Sequence, residues 1–232
     1  MLVISTREAS VSHGLKILVH GPAGAGKTRL CATTGDLEHT LILSAEAGLL
    51  SLRDVDIDVL VIRSIEDMRR AYGFITAGKD KRYTWICIDS LSEIAEQCLA
   101  HEKDVNANGL KAYGEMADTM FKLIKKFRDL AGFNVVFTAK QERIQDEGRL
   151  LYAPSLPGKQ LTQGIAYLFD EVFAMRNARA DDGSIKRFLQ TVNDGVYDAK
   201  DRSGSLAAVE APSLSAIAAK IHNTQPMEQP NE

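Results

Sequence analysis

Five short apolar runs mark the first 140 residues, and each ends at a polar or turn-forming position. They are residues 15–20 (LKILVH), 40–44 (TLILS), 58–62 (DVLVI), 83–88 (YTWICI) and 134–139 (NVVFTA). Runs this short, bounded by turn signals, predict buried strands. The stretches between them carry helical spacing. Residues 28–34 form a short helix; 65–77 place Ile65, Met68, Tyr72 and Ile75 on one face; 91–102 and 110–130 are helices separated by the turn VNANG. Strand and helix alternation predicts an α/β fold, a mostly parallel central sheet with helices on both faces.

The texture changes after residue 141. Residues 142–160 hold charges, glycines and prolines without a clear period. Residues 161–169 suit a helix. Residues 171–178 and 185–192 suit two strands joined by the turn DDGS, a hairpin extending the sheet antiparallel at its C-terminal end. The expected organisation is an arm over 1–13, a core over 14–210, a small amphipathic helix over 211–222 and a disordered tail over 223–232.

Bulk properties narrow the picture little. The 232 residues carry a formal net charge of −3, so no global basic field draws in nucleic acid. Cys31, Cys87 and Cys98 have no paired spacing, which fits a reducing compartment and neither a disulfide scaffold nor a zinc site. No window reaches the roughly 18 apolar residues of a membrane helix. The expectation is a cytoplasmic protein without a membrane partner.

The chemistry concentrates at strand ends. Residues 21–28 read GPAGAGKT and fit G-x-x-x-x-G-K-[ST], between a strand and a helix as that motif requires. Gly21, Pro22, Ala23, Gly24, Ala25 and Gly26 let the backbone curl so that N–H groups face an anion. Lys27 would neutralise the β and γ phosphates of ATP, Thr28 would ligate Mg2+, and Arg29 follows at once. Asp89, closing YTWICID, would hold the metal, with Ser90 helping to orient its shell; alternatively Asp89 caps the next helix. Glu46, after a strand expected beside the P-loop strand, is either a base for the attacking water or an ordinary loop glutamate. Gln141, with Lys140 as its neighbour, is a candidate γ-phosphate sensor. Lys200 and Arg202, in KDRSG, are either cations for a neighbouring subunit's phosphates or part of a solvated turn.

The order GPAGAGKT, Glu46, WICIDS and FTAKQER resembles the core of RecA/Rad51-type recombinases over roughly residues 14–200. It is most similar to the phage-encoded Sak4 group of annealing and recombination ATPases, which would place the protein in a host cytoplasm. The resemblance implies a RecA-like P-loop core, ATP hydrolysis with Mg2+, and a ring or filament with shared sites. Glu46 would activate water, Gln141 would couple nucleotide state to a DNA loop, and Lys200 and Arg202 would act across subunits. Arg53 occupies the place where family members stack a side chain on adenine. Single-stranded DNA would meet two loops, one with Lys103, Lys111 and Tyr113, the other with Arg143, Arg149, Tyr152 and Lys159. A single-stranded-DNA-binding protein is an implied partner. Competing readings are a helicase or helicase loader, a small-molecule kinase, and a DNA-binding assembly protein with structural nucleotide.

Overall fold

The computed structural model describes residues 3, 5, 13–46, 48–77, 82–146 and 148–223. The arm expected over 1–13 lies almost wholly outside the described residues, and so do residues 224–232 of the expected tail. Strand β1 (Lys16–His20) is followed by a short helix α1 (Lys27–Leu30). Then come β2 (Thr40–Ser44), β3 (Asp58–Val61), α2 (Ile65–Ala77), β4 (Trp85–Asp89), α3 (Leu91–Val105) and α4 (Gly109–Arg128). The second half contains β5 (Asn134–Asp146), β6 (Arg149–Ser155), α5 (Lys159–Gly164), β7 (Glu171–Arg179), β8 (Ile185–Gln190), β9 (Lys200–Asp201), β10 (Val209–Glu210) and α6 (Leu214–Asn223).

The sheet runs β10-β8-β7-β1-β5-β4-β2-β3. From β3 to β7 every neighbour is parallel, and β8, β9 and β10 add antiparallel pairs, as the hairpin expectation had it. β1, β2 and β4 are buried along their whole length. Alternate residues feed opposite faces. Leu18, Leu43, Ile88 and Phe137 join α2 to α5 in one core, whereas Ile17, Val19, Ile42, Cys87 and Val136 face α1 and α6 in the other. This double coverage explains why the strand sequences are continuously apolar instead of alternating.

Three expectations change. β2 does not neighbour β1, because β5 and β4 lie between them. Residues 142–160 are not an irregular loop: β5 continues to Asp146 and turns through Gly148 (φ +81°) into β6, with Arg143 opposite Tyr152. Charged side chains on this two-stranded arm hid its period. The segment with Lys103, Lys111 and Tyr113 is a helical corner, with Lys103 in the last turn of α3, Lys111 in the first turn of α4 and Tyr113 just beyond it. Asn108 caps α4 by accepting from Leu110 N and Lys111 N. No helix among the described residues is long and apolar enough to cross a membrane.

One buried acid sits where β7 meets β9. Glu171 is buried, its Oε1 accepts from Ser203 N, and Oε2 has no partner. Burial, reinforced by Asp201, raises its carboxyl to about 8. Between the unfolded value of 4.5 and about 8 the folded chain keeps a proton that the unfolded chain releases. Stability therefore falls as pH climbs through that window. Glu171→Gln keeps an acceptor for Ser203 and removes the ionisation. Chemical denaturation from pH 5 to pH 9 should show a flatter profile for the variant. It should also show greater stability than the parent at pH 9, on the order of a few kcal/mol.

Candidate active site

The segment 21–28 turns at the carboxyl end of β1. Two of its glycines need freedom that other residues lack: Gly24 at φ +73° and Gly26 at φ +107°. Gly21 is fixed by crowding, since a Cβ there would lie 2.7 Å from Met175 O. Ala25 places its methyl in the core and donates its N–H to Pro22 O. The helix that follows has four residues, shorter than the predicted 28–34, and continues as a 3-10 turn over Cys31–Thr33. So short a helix has little macrodipole. The loop's N–H groups and Lys27 supply the positive potential.

Lys27 Nζ donates to Gly21 O (2.9 Å) and Pro22 O (3.0 Å). Burial pulls its ammonium below the usual range, opposed by the carboxylates of Glu46 and Asp89. Asp89 is 2% exposed and is held on both oxygens: Thr28 Oγ1 donates to Oδ2 at 2.7 Å, and Thr138 Oγ1 donates to Oδ1. Burial raises the Asp89 carboxyl, the two threonines oppose this, and Glu46 adds to it. Asp89 does not cap α3. Ser90 does, accepting from Glu93 N at 3.3 Å in the S-x-x-E spacing of a capping box.

Ser90 has a second task. Its hydroxyl donates to Glu46 Oε1 at 2.5 Å, so it holds the acid and does not point into the space beside Asp89. Ala45 N donates to Asp89 O at 2.7 Å, and Ser44 Oγ donates to Glu46 O at 2.8 Å. Glu46 thus reaches the site through the β2–β4 seam and not from a strand beside β1. Together Ala23, Gly24, Gly26, Lys27, Thr28, Arg29, Glu46 and Asp89 line one cleft of about 640 Å³. That volume is ample for a nucleotide. The hard oxygens of Thr28 and Asp89, already sharing a hydrogen bond, are a donor set that suits Mg2+.

Other candidates stand elsewhere. Arg53 is exposed after the 3-10 turn Leu49–Leu52 and does not line the cleft; Ser51, two residues earlier, does. Arg29 is tied to Asp54 and Ser51 O. Gln141 is not at a strand end but inside β5, where the strand leaves the main sheet to pair with β6. Its Oε1 is buried without a partner. Lys140 is held by Glu96 (2.8 Å) and Glu93 (3.4 Å). Lys200 donates to Ala166 O (2.8 Å) and Arg202 to Asp170 Oδ1 (2.7 Å). β9 sets Lys200 opposite Val172, level with Leu18, so neither cation lines its own chain's cleft.

Among the DNA candidates, the Lys103 ammonium lies 5.3 Å from the Tyr113 ring centroid. Arg143 lies over Tyr152 at 5.2 Å, and Tyr152 stacks on Tyr197 at 4.9 Å. The helical corner approaches the start of α5, since a Cβ on Gly158, beside Lys159, would sit 3.2 Å from Tyr113 Cδ1. The side chain of Arg149 lies outside the described residues. Sequence reasoning missed Arg187 and Thr138. Arg187 lines the cleft from β8, and a Cβ on Gly26 would meet its Cδ at 3.2 Å. Nothing in a hairpin's sequence marks which arginine overhangs a distant loop. Thr138 was legible only as one position of an apolar run.

The model of the family described as AAA domain matches residues 13–203. Among solved structures, a RadB recombinase is similar at 11% identity, covering 82% of this chain and 93% of that one, with a TM-score of 0.44. No curated protein gives a significant match.

Proposed function

The chain belongs to the AAA-domain family of P-loop ATPases, and from that premise we propose that it binds and hydrolyses ATP with Mg2+ and acts on single-stranded DNA. The work would be recombination or strand annealing, as in the phage-encoded Sak4 group, in an assembly that shares sites between subunits. The observation that carries the hydrolytic part is the Glu46–Ser90 hydrogen bond. It holds an acid in the cleft of Lys27, Thr28 and Asp89 without engaging Lys27 or Asp89 in a side-chain hydrogen bond. Thr28 and Asp89 would hold the metal, whose charge offsets that of the phosphates. Lys27 would exchange its two loop carbonyls for phosphate oxygens. Glu46 would orient water and take its proton.

Arg187 belongs with this reading. It is an exposed arginine in the cleft wall and stands beside Gly26 of the phosphate loop. Its guanidinium can address a phosphate from the same chain, whereas the cations that the sequence offered beside Lys27 were Lys200 and Arg202 of another subunit. Arg187→Ala should weaken ATP binding about tenfold, measured by calorimetry with Mg2+ present, in proportion to one lost charge-assisted contact. Unchanged affinity would remove Arg187 from the site.

The DNA part is supported by the arm carrying Arg143, Tyr152 and the neighbouring Lys159, which springs from the strand that holds Gln141. Basic groups there would meet phosphate, and several copies in a ring or filament would add their weak patches. ATP turnover measured with and without single-stranded DNA across a salt series tests it. The expected result is a DNA-dependent rise that fades with salt. No rise at low salt would refute DNA action, and phosphate transfer to a nucleoside in place of water would identify a kinase.

A further inference from the structure

His20, the last residue of β1, is wholly buried and has no role in the site as described so far. Its Nε2 lies 2.6 Å from Asp198 O. Burial lowers the imidazole to about 4, so the ring is neutral at physiological pH. A neutral ring facing a carbonyl carries its proton on Nε2, which leaves Nδ1 as an acceptor. The side chain of Gln141 lies against the ring. Yet neither His20 Nδ1 nor Gln141 Oε1 has a partner of acceptable geometry. Two buried groups left incomplete beside each other's side chains are costly in this state. A turn of the Gln141 amide would give Nδ1 a donor.

The segment held by Nε2 is tied to the arm as well. Asp198 N donates to Tyr152 O at 2.8 Å, and Tyr152 N donates to Val196 O at 2.7 Å. The Tyr152 and Tyr197 rings stack, and Arg176 lies 4.0 Å from the Tyr197 centroid. Two residues beyond Asp198 the chain enters β9, with Lys200 and then Arg202. His20 is also the residue before Gly21, whose carbonyl accepts from Lys27. A single side chain at the root of the phosphate loop is therefore bonded to one segment through Nε2 and keeps Nδ1 open, with the Gln141 side chain of the arm's strand against the ring.

We propose that His20 is a positioning residue that couples the phosphate loop to the β5–β6 arm through Nδ1 and Gln141, and to the 196–202 strap through Nε2 and Asp198. This rests on the ATP-binding reading of the cleft. When phosphate draws Lys27 off Gly21 O, the end of β1 shifts, and the imidazole passes the shift to Asp198 O through its existing Nε2 bond and to the arm through a Gln141 amide that turns to donate to Nδ1. The contacts are separable by substitution because the two amide side chains mimic different ring nitrogens. Gln places its amide near the position of Nε2, and Asn places its amide near that of Nδ1.

Hydrogen exchange with and without a slowly hydrolysed ATP analogue and Mg2+ reads the coupling. In the parent protein, nucleotide should slow exchange in 21–28 and change it in both 141–155 and 196–202, about tenfold or more. His20→Gln should keep the response of 196–202 and lose that of 141–155. His20→Asn should do the reverse. Gln141→Leu, which leaves His20 intact, should lose only the 141–155 response and so carries the test if the histidine variants fold poorly. Nucleotide affinity should stay within about threefold in the two histidine variants. A parent that shows no protection at 21–28 refutes nucleotide binding itself. Protection at 21–28 with no response in the arm or strap, or equal responses in all three variants, overturns the coupling by His20.

Discussion

Glu46→Gln should lower ATP turnover by about a hundredfold to a thousandfold while ATP affinity changes by less than about threefold. The substitution is nearly isosteric, and its Oε1 still accepts from Ser90 Oγ, the bond that holds the acid at 2.5 Å in the parent. The seam from Ala45 N to Asp89 O is backbone and is untouched. What disappears is a negative oxygen able to take a proton from water. Single-turnover measurements with binding titrations separate the two quantities. Unchanged turnover at retained affinity would remove Glu46 from the mechanism. Loss of affinity and turnover together would make it a binding residue.

Asp89→Asn should separate stability from function. The parent carboxylate is buried, and burial raises its ionisation above the usual range despite the hydroxyls of Thr138 and Thr28. The sign follows from proton counts. The folded chain holds the proton to higher pH than the unfolded chain, whose carboxyl ionises near 3.8. Stability is therefore lost as pH rises through the folded value, and the cost is fully present once Asp89 is ionised. An amide carries no such cost, and both hydroxyls can rotate to suit it. The Tm at neutral pH should hold or rise, while Mg2+-dependent turnover should fall at least about a hundredfold. Calorimetry with a Mg2+ titration checks both. A variant with the parent's Mg2+ requirement would refute the metal role of Asp89. A large fall in Tm would show that the carboxylate is chiefly a structural acceptor.

Much of the fold was legible because its strands are covered on both faces. A strand buried in this way reads as a continuous apolar run, and β1, β2, β4 and the first half of β5 announce themselves. The arm was not legible. Beyond Ala139, β5 leaves the core and pairs only with β6, so the pattern of Gln141, Glu142 and Arg143 has no buried face to follow. Strand order escaped for another reason. Periodicity states that a strand exists but not which neighbour it takes, and β4 and β5 intervene between β1 and β2.

By itself the sequence determined the phosphate loop and the order of its companions. The turn GPAGAGKT is local chemistry: positive φ at Gly24 and Gly26 and a lysine at a fixed offset are written within eight residues. The carboxylates Glu46 and Asp89 were visible as strand-end residues. Tertiary structure alone decided how they are used. It gave Ser90 to Glu46, closed Thr28 and Thr138 on Asp89, brought Arg187 over Gly26 and left Arg53 outside the cleft. It also set Lys200 and Arg202 away from their own phosphate loop and buried His20 between arm and strap. These contacts join residues as far apart as 178 positions along the chain. Their selection depends on strand register and on which face each side chain takes, and no local spacing encodes either.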